Sequence, residues 1–123
     1  MALRILIVDD NEVIRAMLRH VVTKLGHEVA AEAATGAEAV AAFAAAKPGL
    51  VTLDISLPDM DGLAVLSRLR AIDPAAKVIV ITGNNSAVLE KDVRAAGALA
   101  VVHKPFDLAG LRRLIDGVDG GEP

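Results

Sequence analysis

Short apolar runs, most of them rich in Val, Ile and Leu, alternate along this chain with longer segments whose apolar residues return every three or four positions. Strands of that kind, apolar on both faces, belong in a parallel sheet, and the helical segments between them are the crossovers such a sheet requires. The spacing predicts strands near 3–8, 28–33, 50–54, 77–82 and 99–103, and helices near 12–25, 36–46, 62–71, 86–96 and 108–116. The expected fold is α/β, built from five βα units. A chain of 123 residues fits one domain, 1–117, followed by a glycine-rich acidic tail, 118–123, that reads as a flexible terminus or the start of a linker.

Local signals agree with this division. Val13, Ile14, Met17, Leu18, Val21, Val22 and Leu25 form one helical stripe, closed by Gly26 as a left-handed cap. Thr35 and Glu38 have the spacing of a capping box, and Asp107 can cap the last helix with Phe106 stapled against Leu111. Asp73-Pro74 ends the third helix, because the residue before proline is pushed out of helical geometry.

The ends of the strands carry the chemistry. Asp9 and Asp10 follow the first apolar run, Asp54 ends the third, and Lys104 follows the fifth. An acidic pair after a strand is often no more than a solvated helix cap, and Lys104 alone would pass for a surface lysine. Three carboxylates at neighbouring strand ends are different, since they repel one another unless a cation lies between them. Mg²⁺ suits such a site, because it takes a few carboxylates, keeps several waters and leaves room for phosphate oxygens. Lys104 would add a point charge for the same oxygens, held in place by Pro105. Thr82, at the end of the fourth run, reads by itself as a β-branched strand residue or a cap.

Composition narrows the field. The chain is 54% apolar, largely through alanine, but no apolar run approaches the ~20 residues that span a bilayer. Charges at Arg4, Asp9 and Asp10 interrupt the first segment before a signal-peptide core could form. Net charge −3 and the absence of Trp and Tyr argue against a basic or stacking surface for nucleic acid. Zero cysteines rule out disulfides and thiolate metal sites, which is compatible with a cytoplasmic location.

In order and spacing, Ile7-Val8-Asp9-Asp10, Leu53-Asp54-Ile55-Ser56-Leu57-Pro58-Asp59-Met60-Asp61-Gly62, Ile81-Thr82-Gly83 and His103-Lys104-Pro105-Phe106 resemble the receiver domain of two-component response regulators. The likeness covers about residues 3 to 116 and is strongest to the single-domain chemotaxis (CheY-like) type. It implies a flavodoxin-like doubly wound fold with strand order 2-1-3-4-5. It implies that Asp54 is the phosphoacceptor, taking a phosphoryl group from a histidine of a partner kinase. Asp10 and Asp54 would bind Mg²⁺ directly, Asp9 through water, and Ser56 through its backbone carbonyl. Thr82 would hydrogen-bond the acyl phosphate and Lys104 would contact its oxygens, with Lys104-Pro105 matching the family's cis peptide. Such a protein is not an enzyme beyond its own phosphotransfer and dephosphorylation. Its partners are a sensor histidine kinase or histidine phosphotransfer protein and an output protein, reached through the fourth helix, fifth strand and fifth helix.

The chain departs from the pattern at Val101, where the family usually places the Tyr or Phe that rotates on activation. A valine has no ring to swing, which puts the switch in backbone movement after Thr82 and in the fourth helix. Ser56 and Asn84 occupy positions that influence acyl-phosphate lifetime, and neither is a general base, so an intermediate or long lifetime is expected. His20, His27 and His103 have no metal-ligand spacing and read as structural or solvated. His103 should point to the opposite face from Lys104. Arg112, Arg113, Lys91 and Arg94 are candidate recognition residues, or simply a solvated face with Glu90 and Arg94 paired.

Other functions share parts of this pattern. The alternatives to this reading are the receiver fragment of a larger DNA-binding response regulator and a phosphate sink in a phosphorelay. A flavodoxin-like redox protein is disfavoured by Asp9-Asp10-Asn11 where a flavin phosphate needs free backbone donors. A haloacid-dehalogenase-type phosphatase lacks its general acid, since Ser56 stands two residues after Asp54.

Overall fold

The computed structural model describes residues 2–83 and 86–120. Ten elements alternate strictly: β1 (Arg4–Val8), α1 (Glu12–Lys24), β2 (Glu28–Ala33), α2 (Gly36–Ala46), β3 (Leu50–Asp54), α3 (Gly62–Ile72), β4 (Val78–Thr82), α4 (Ala87–Ala95), β5 (Ala100–His103) and α5 (Leu108–Gly120). The strands are parallel and lie in the order β2-β1-β3-β4-β5, as the resemblance implied.

Alternation along each central strand explains the layering. Ile5, Ile7, Leu50, Ile79 and Ile81 face one side, where Leu18 and Val22 of α1 and Leu111 and Ile115 of α5 cover them. Leu6, Val8, Val51, Leu53, Val78 and Val80 face the other, against Phe43 of α2, Val65, Leu66 and Leu69 of α3 and Val93 of α4. Both faces are dry, so the sequence there reads as continuous apolar runs. β2 and β5, at the two edges, are the partly buried exceptions.

The predicted caps are present, with one change of partner. Gly26 has φ 85°, and the amides of Gly26 and His27 donate to Thr23 and Val22 at 3.0 Å each, closing α1 in a Schellman motif. Thr35 Oγ1 accepts the Glu38 amide at 3.1 Å, but the Glu38 carboxylate reaches the amide of Ala34 at 2.9 Å, one residue before the cap. Asp107 caps α5, its Oδ1 accepting the Ala109 amide at 3.0 Å. The Asp73 backbone is extended, ending α3 ahead of Pro74.

α5 runs to Gly120, past the expected end at 116. Val118 packs against the α1/α5 core layer, and an internal glycine costs a helix only about 1 kcal/mol, which that packing offsets. Residues 121–123 and Asn84 lie outside the described residues. Among the described residues, no helix is long and apolar enough to cross a membrane.

Candidate phosphoryl and metal site

The strand order reverses between β1 and β3, and a crevice opens at the carboxyl ends of strands wherever that happens in a doubly wound sheet. Asp9 and Asp10 leave β1 there and Asp54 ends β3, so all three acids meet at that point. One carboxylate oxygen from each lies within 4.8 Å of the others. Asp9 and Asp54 are buried, and Asp10 is exposed.

Lys104 completes the group from β5. Its Nζ donates to Asp9 Oδ2 at 3.2 Å and to Asp54 Oδ2 at 3.4 Å. Its amide donates to Thr82 O at 2.7 Å, which fastens the β5–α5 loop to the end of β4. The Lys104-Pro105 peptide is cis. Thr82 is buried at the end of β4, in register with His103. The Ser56 amide donates to Asp54 Oδ1 at 3.0 Å, which orients the carboxylate and holds the start of the β3–α3 loop.

The charges are unbalanced. Burial, with repulsion from Asp9, pushes the Asp54 carboxyl above its ordinary value despite the opposing pull of the Ser56 amide and of Lys104. Burial works against the Lys104 ammonium, but Asp54 and Asp9 together hold it above the usual lysine value. The site is therefore short of positive charge. Three carboxylate oxygen donors, one open to solvent, are a hard donor set that fits Mg²⁺.

That imbalance has a measurable sign. Asp54 stabilises the fold fully only below the ordinary carboxylate range, and this contribution is lost as pH rises through its elevated value. In EDTA at neutral pH, Asp54→Asn is expected to be more stable than wild type by about 1–2 kcal/mol. The gap should close on acidification. Thermal unfolding across pH checks this, and a variant less stable than wild type at neutral pH would contradict it.

Asp9, Asp10, Asp54 and Lys104 lie together in the structure, but sequence spacing carries no sign of what holds them. Asp59, between Asp54 and α3, accepts the amides of Gly36 at 2.7 Å and Ala37 at 3.0 Å, clamping the β3–α3 loop on the first turn of α2. These two amides hold the Asp59 carboxyl below its ordinary value. Arg15 donates to the Asp9 carbonyl at 2.7 Å. Neither contact has a signature in sequence spacing, because each joins separate elements.

His103 does point away from Lys104, with Nε2 3.0 Å from Glu90 Oε1 on α4, and Arg94 shares Glu90 at 3.3 Å. His27 is buried and its Nδ1 accepts the Leu3 amide at 3.0 Å, a structural role. His20 is exposed. Val101 is half-buried against the α2/α3/α4 core layer. Arg112 and Arg113 are exposed on α5, with Arg112 3.9 Å from Asp116.

The comparisons agree with this geometry. A family model described as the response regulator receiver domain matches residues 5–116. The chemotaxis protein CheY of Thermotoga maritima is 42% identical over 106 residues, covering 86% of this chain and 88% of that protein. Sporulation initiation phosphotransferase F of Bacillus subtilis is 37% identical over 109 residues, covering 89% and 87%. Among solved structures, a CheX–CheY–BeF3–Mg complex from Borrelia burgdorferi superposes with a TM-score of 0.91 at 33% identity, covering 96% of this chain and 90% of that one. With its sheet order, its acidic crevice and these relatives in agreement, the chain belongs to the response regulator receiver domain family of two-component signalling.

Proposed function

We propose that this protein is a phosphorylation-dependent signalling switch in which Asp54 accepts a phosphoryl group from a phosphohistidine of a sensor kinase or phosphotransfer protein. The observation that carries this reading is the buried, charge-deficient carboxylate of Asp54 between Asp9, Asp10 and Lys104. Mg²⁺ would be held by Asp10 and Asp54, with Asp9 behind through water and the Ser56 carbonyl as a further ligand. When bound, it supplies charge neutralisation on the phosphoryl oxygens and favours the ionised form of Asp54.

The chain's own groups do the rest. Ser56 N–H holds Asp54 Oδ1, so the carboxylate meets the incoming phosphorus in one orientation. An oxygen–phosphorus bond forms to Asp54 as the phosphorus–nitrogen bond of the donor breaks, and the leaving imidazole keeps the electron pair. Lys104 turns from the carboxylates to the new phosphoryl oxygens, and Thr82 donates its hydroxyl to them. The donor is received beside the acids, where Ile14, Met17, Lys104, Pro105 and Phe106 line an apolar recess of about 340 Å³.

The output follows from added charge of about −2 at the crevice, which shifts the loop after Thr82 and α4 without an aromatic rotor at Val101. α4, β5 and α5, with Lys91, Arg94, Arg112 and Arg113, form the face offered to the output partner. Residues 1–117 are the receiver unit, acting in the cytoplasm without binding nucleic acid itself. Relatives that include a sporulation phosphotransferase support a phosphorelay setting.

The test is intact-protein mass after incubation with acetyl phosphate, in Mg²⁺ and in EDTA, for wild type and Asp54→Asn. One Mg²⁺-dependent phosphoryl adduct on wild type, absent from the variant, is expected. An equal adduct on the variant would move the acceptor elsewhere, and no adduct on either would end the reading.

A further inference from the structure

Behind the acidic loop stands a small ion-pair chain that the phosphoryl chemistry does not use directly. Arg15, in the first turn of α1, donates from Nη1 to the Asp9 carbonyl at 2.7 Å, and its Nε lies 3.6 Å from Glu32 Oε1 on β2. Glu32 is fixed in turn by Arg19, whose Nε and Nη2 donate to its two oxygens at 2.7 and 3.1 Å. Arg15 is the least exposed of the three side chains, at 19%.

Asp9 is consequently held on every polar group. Its amide donates to Ala33 O at 3.0 Å, Oδ1 accepts the Asn11 amide at 2.9 Å, Oδ2 accepts Lys104, and its carbonyl accepts Arg15. Asp10, the exposed carboxylate of the cluster, follows directly on this fixed residue. A ligand on a loop is placed only as well as the groups that support it, and outer supports of this kind commonly change metal affinity by tenfold or more.

We propose that Arg15, buttressed by Glu32 and Arg19, is a positioning residue that sets the site's affinity for a divalent cation by fixing the β1–α1 loop, and not through its charge. This rests on reading the carboxylate cluster as a Mg²⁺ site. The two possible roles have opposite signs. A positive charge near the site repels a bound cation, so its removal alone would tighten binding. Loss of a support for the loop weakens binding. Arginine is suited to the second role because its planar fork reaches the Asp9 carbonyl and Glu32 together, which a lysine ammonium cannot do in the same geometry.

The experiment is calorimetric titration of the unphosphorylated protein with Mg²⁺, for wild type, Arg15→Ala and Arg15→Lys, with folding verified by circular dichroism. Arg15→Ala is expected to bind Mg²⁺ about tenfold more weakly than wild type, and Arg15→Lys to fall between them. Binding by Arg15→Ala as tight as wild type or tighter would overturn the proposal. If that variant does not fold, wild-type affinity in Arg15→Lys would overturn it instead. Wild type that fails to bind Mg²⁺ defeats the metal reading itself and the inference with it, whereas unaltered variants beside a binding wild type defeat the inference alone.

Discussion

Lys104→Met is expected to slow phosphorylation of Asp54 by about 10²–10³-fold, the scale seen when one preorganised donor to a reacting oxygen is lost. In metal-free buffer it should also cost about 3 kcal/mol of stability, because removing one partner leaves buried carboxylates without their counter-charge. Lys104 Nζ bridges Asp9 Oδ2 and Asp54 Oδ2, and those side chains are only 1% and 4% exposed. The cost is held near the lower end of its range because Asp9 keeps the Asn11 amide and Asp54 keeps the Ser56 amide.

The pH dependence of this loss has a defined direction. The ammonium's contribution in wild type is fully present below the ordinary lysine range and is lost only as pH rises through its raised value, so it is intact at neutral pH. In the variant, acidification protonates Asp54 and relieves its repulsion with Asp9, so the deficit narrows as pH falls. Added Mg²⁺ should narrow it as well, since the ion substitutes for the missing charge. Urea unfolding in EDTA and in Mg²⁺, at neutral and mildly acidic pH, reads both effects. A variant as stable as wild type in neutral EDTA would show that Lys104 does not balance the acids.

Gly62→Ala is expected to destabilise the protein by about 3 kcal/mol, at the upper end of the usual cost of overpacking. A Cβ at Gly62 would lie 2.6 Å from both the Cα and the carbonyl oxygen of Ile55, and backbone at that distance cannot swing aside. The Gly62 amide also donates to the Ile55 carbonyl at 3.1 Å, so any retreat of α3 breaks a bond that shapes the β3–α3 loop. That loop carries Ser56, so phosphorylation should fall with stability. Gly117→Ala is the contrast, with nothing within 4 Å of its Cβ on an exposed part of α5, and a gain of up to about 1 kcal/mol is expected from helix propensity. Parallel losses in the two variants would mean that glycine content and not the Ile55 contact is at issue.

Most of the fold was legible because burial on both sheet faces leaves an unbroken mark. Val78-Ile79-Val80-Ile81 can hardly be other than a central strand, and of the α1 stripe Ile14, Leu18, Val21, Val22 and Leu25 pack in the core layer beside it, whereas Val13 and Met17 of the same run are exposed. The end of α5 was not legible, since Gly117 and Gly120 are written as helix breakers and only the packing of Val118 overrides them. The acids and Lys104 were legible because each stands directly after an apolar run, where the chain must turn out of the sheet.

What the sequence determined by itself was the edge of the sheet on which Asp9, Asp10, Asp54 and Lys104 lie, because strand direction in a βα repeat sends every strand's carboxyl end to one side. What only the tertiary structure decided was how those groups are held and charged. The Arg15–Asp9 contact, the Asp59 clamp on α2 and the His103–Glu90 bridge each join different elements, and separation along the chain carries no record of such distances. The elevated pKa of Asp54 is of the same kind, since burial and the Asp9 charge exist only after β1 and β3 are side by side.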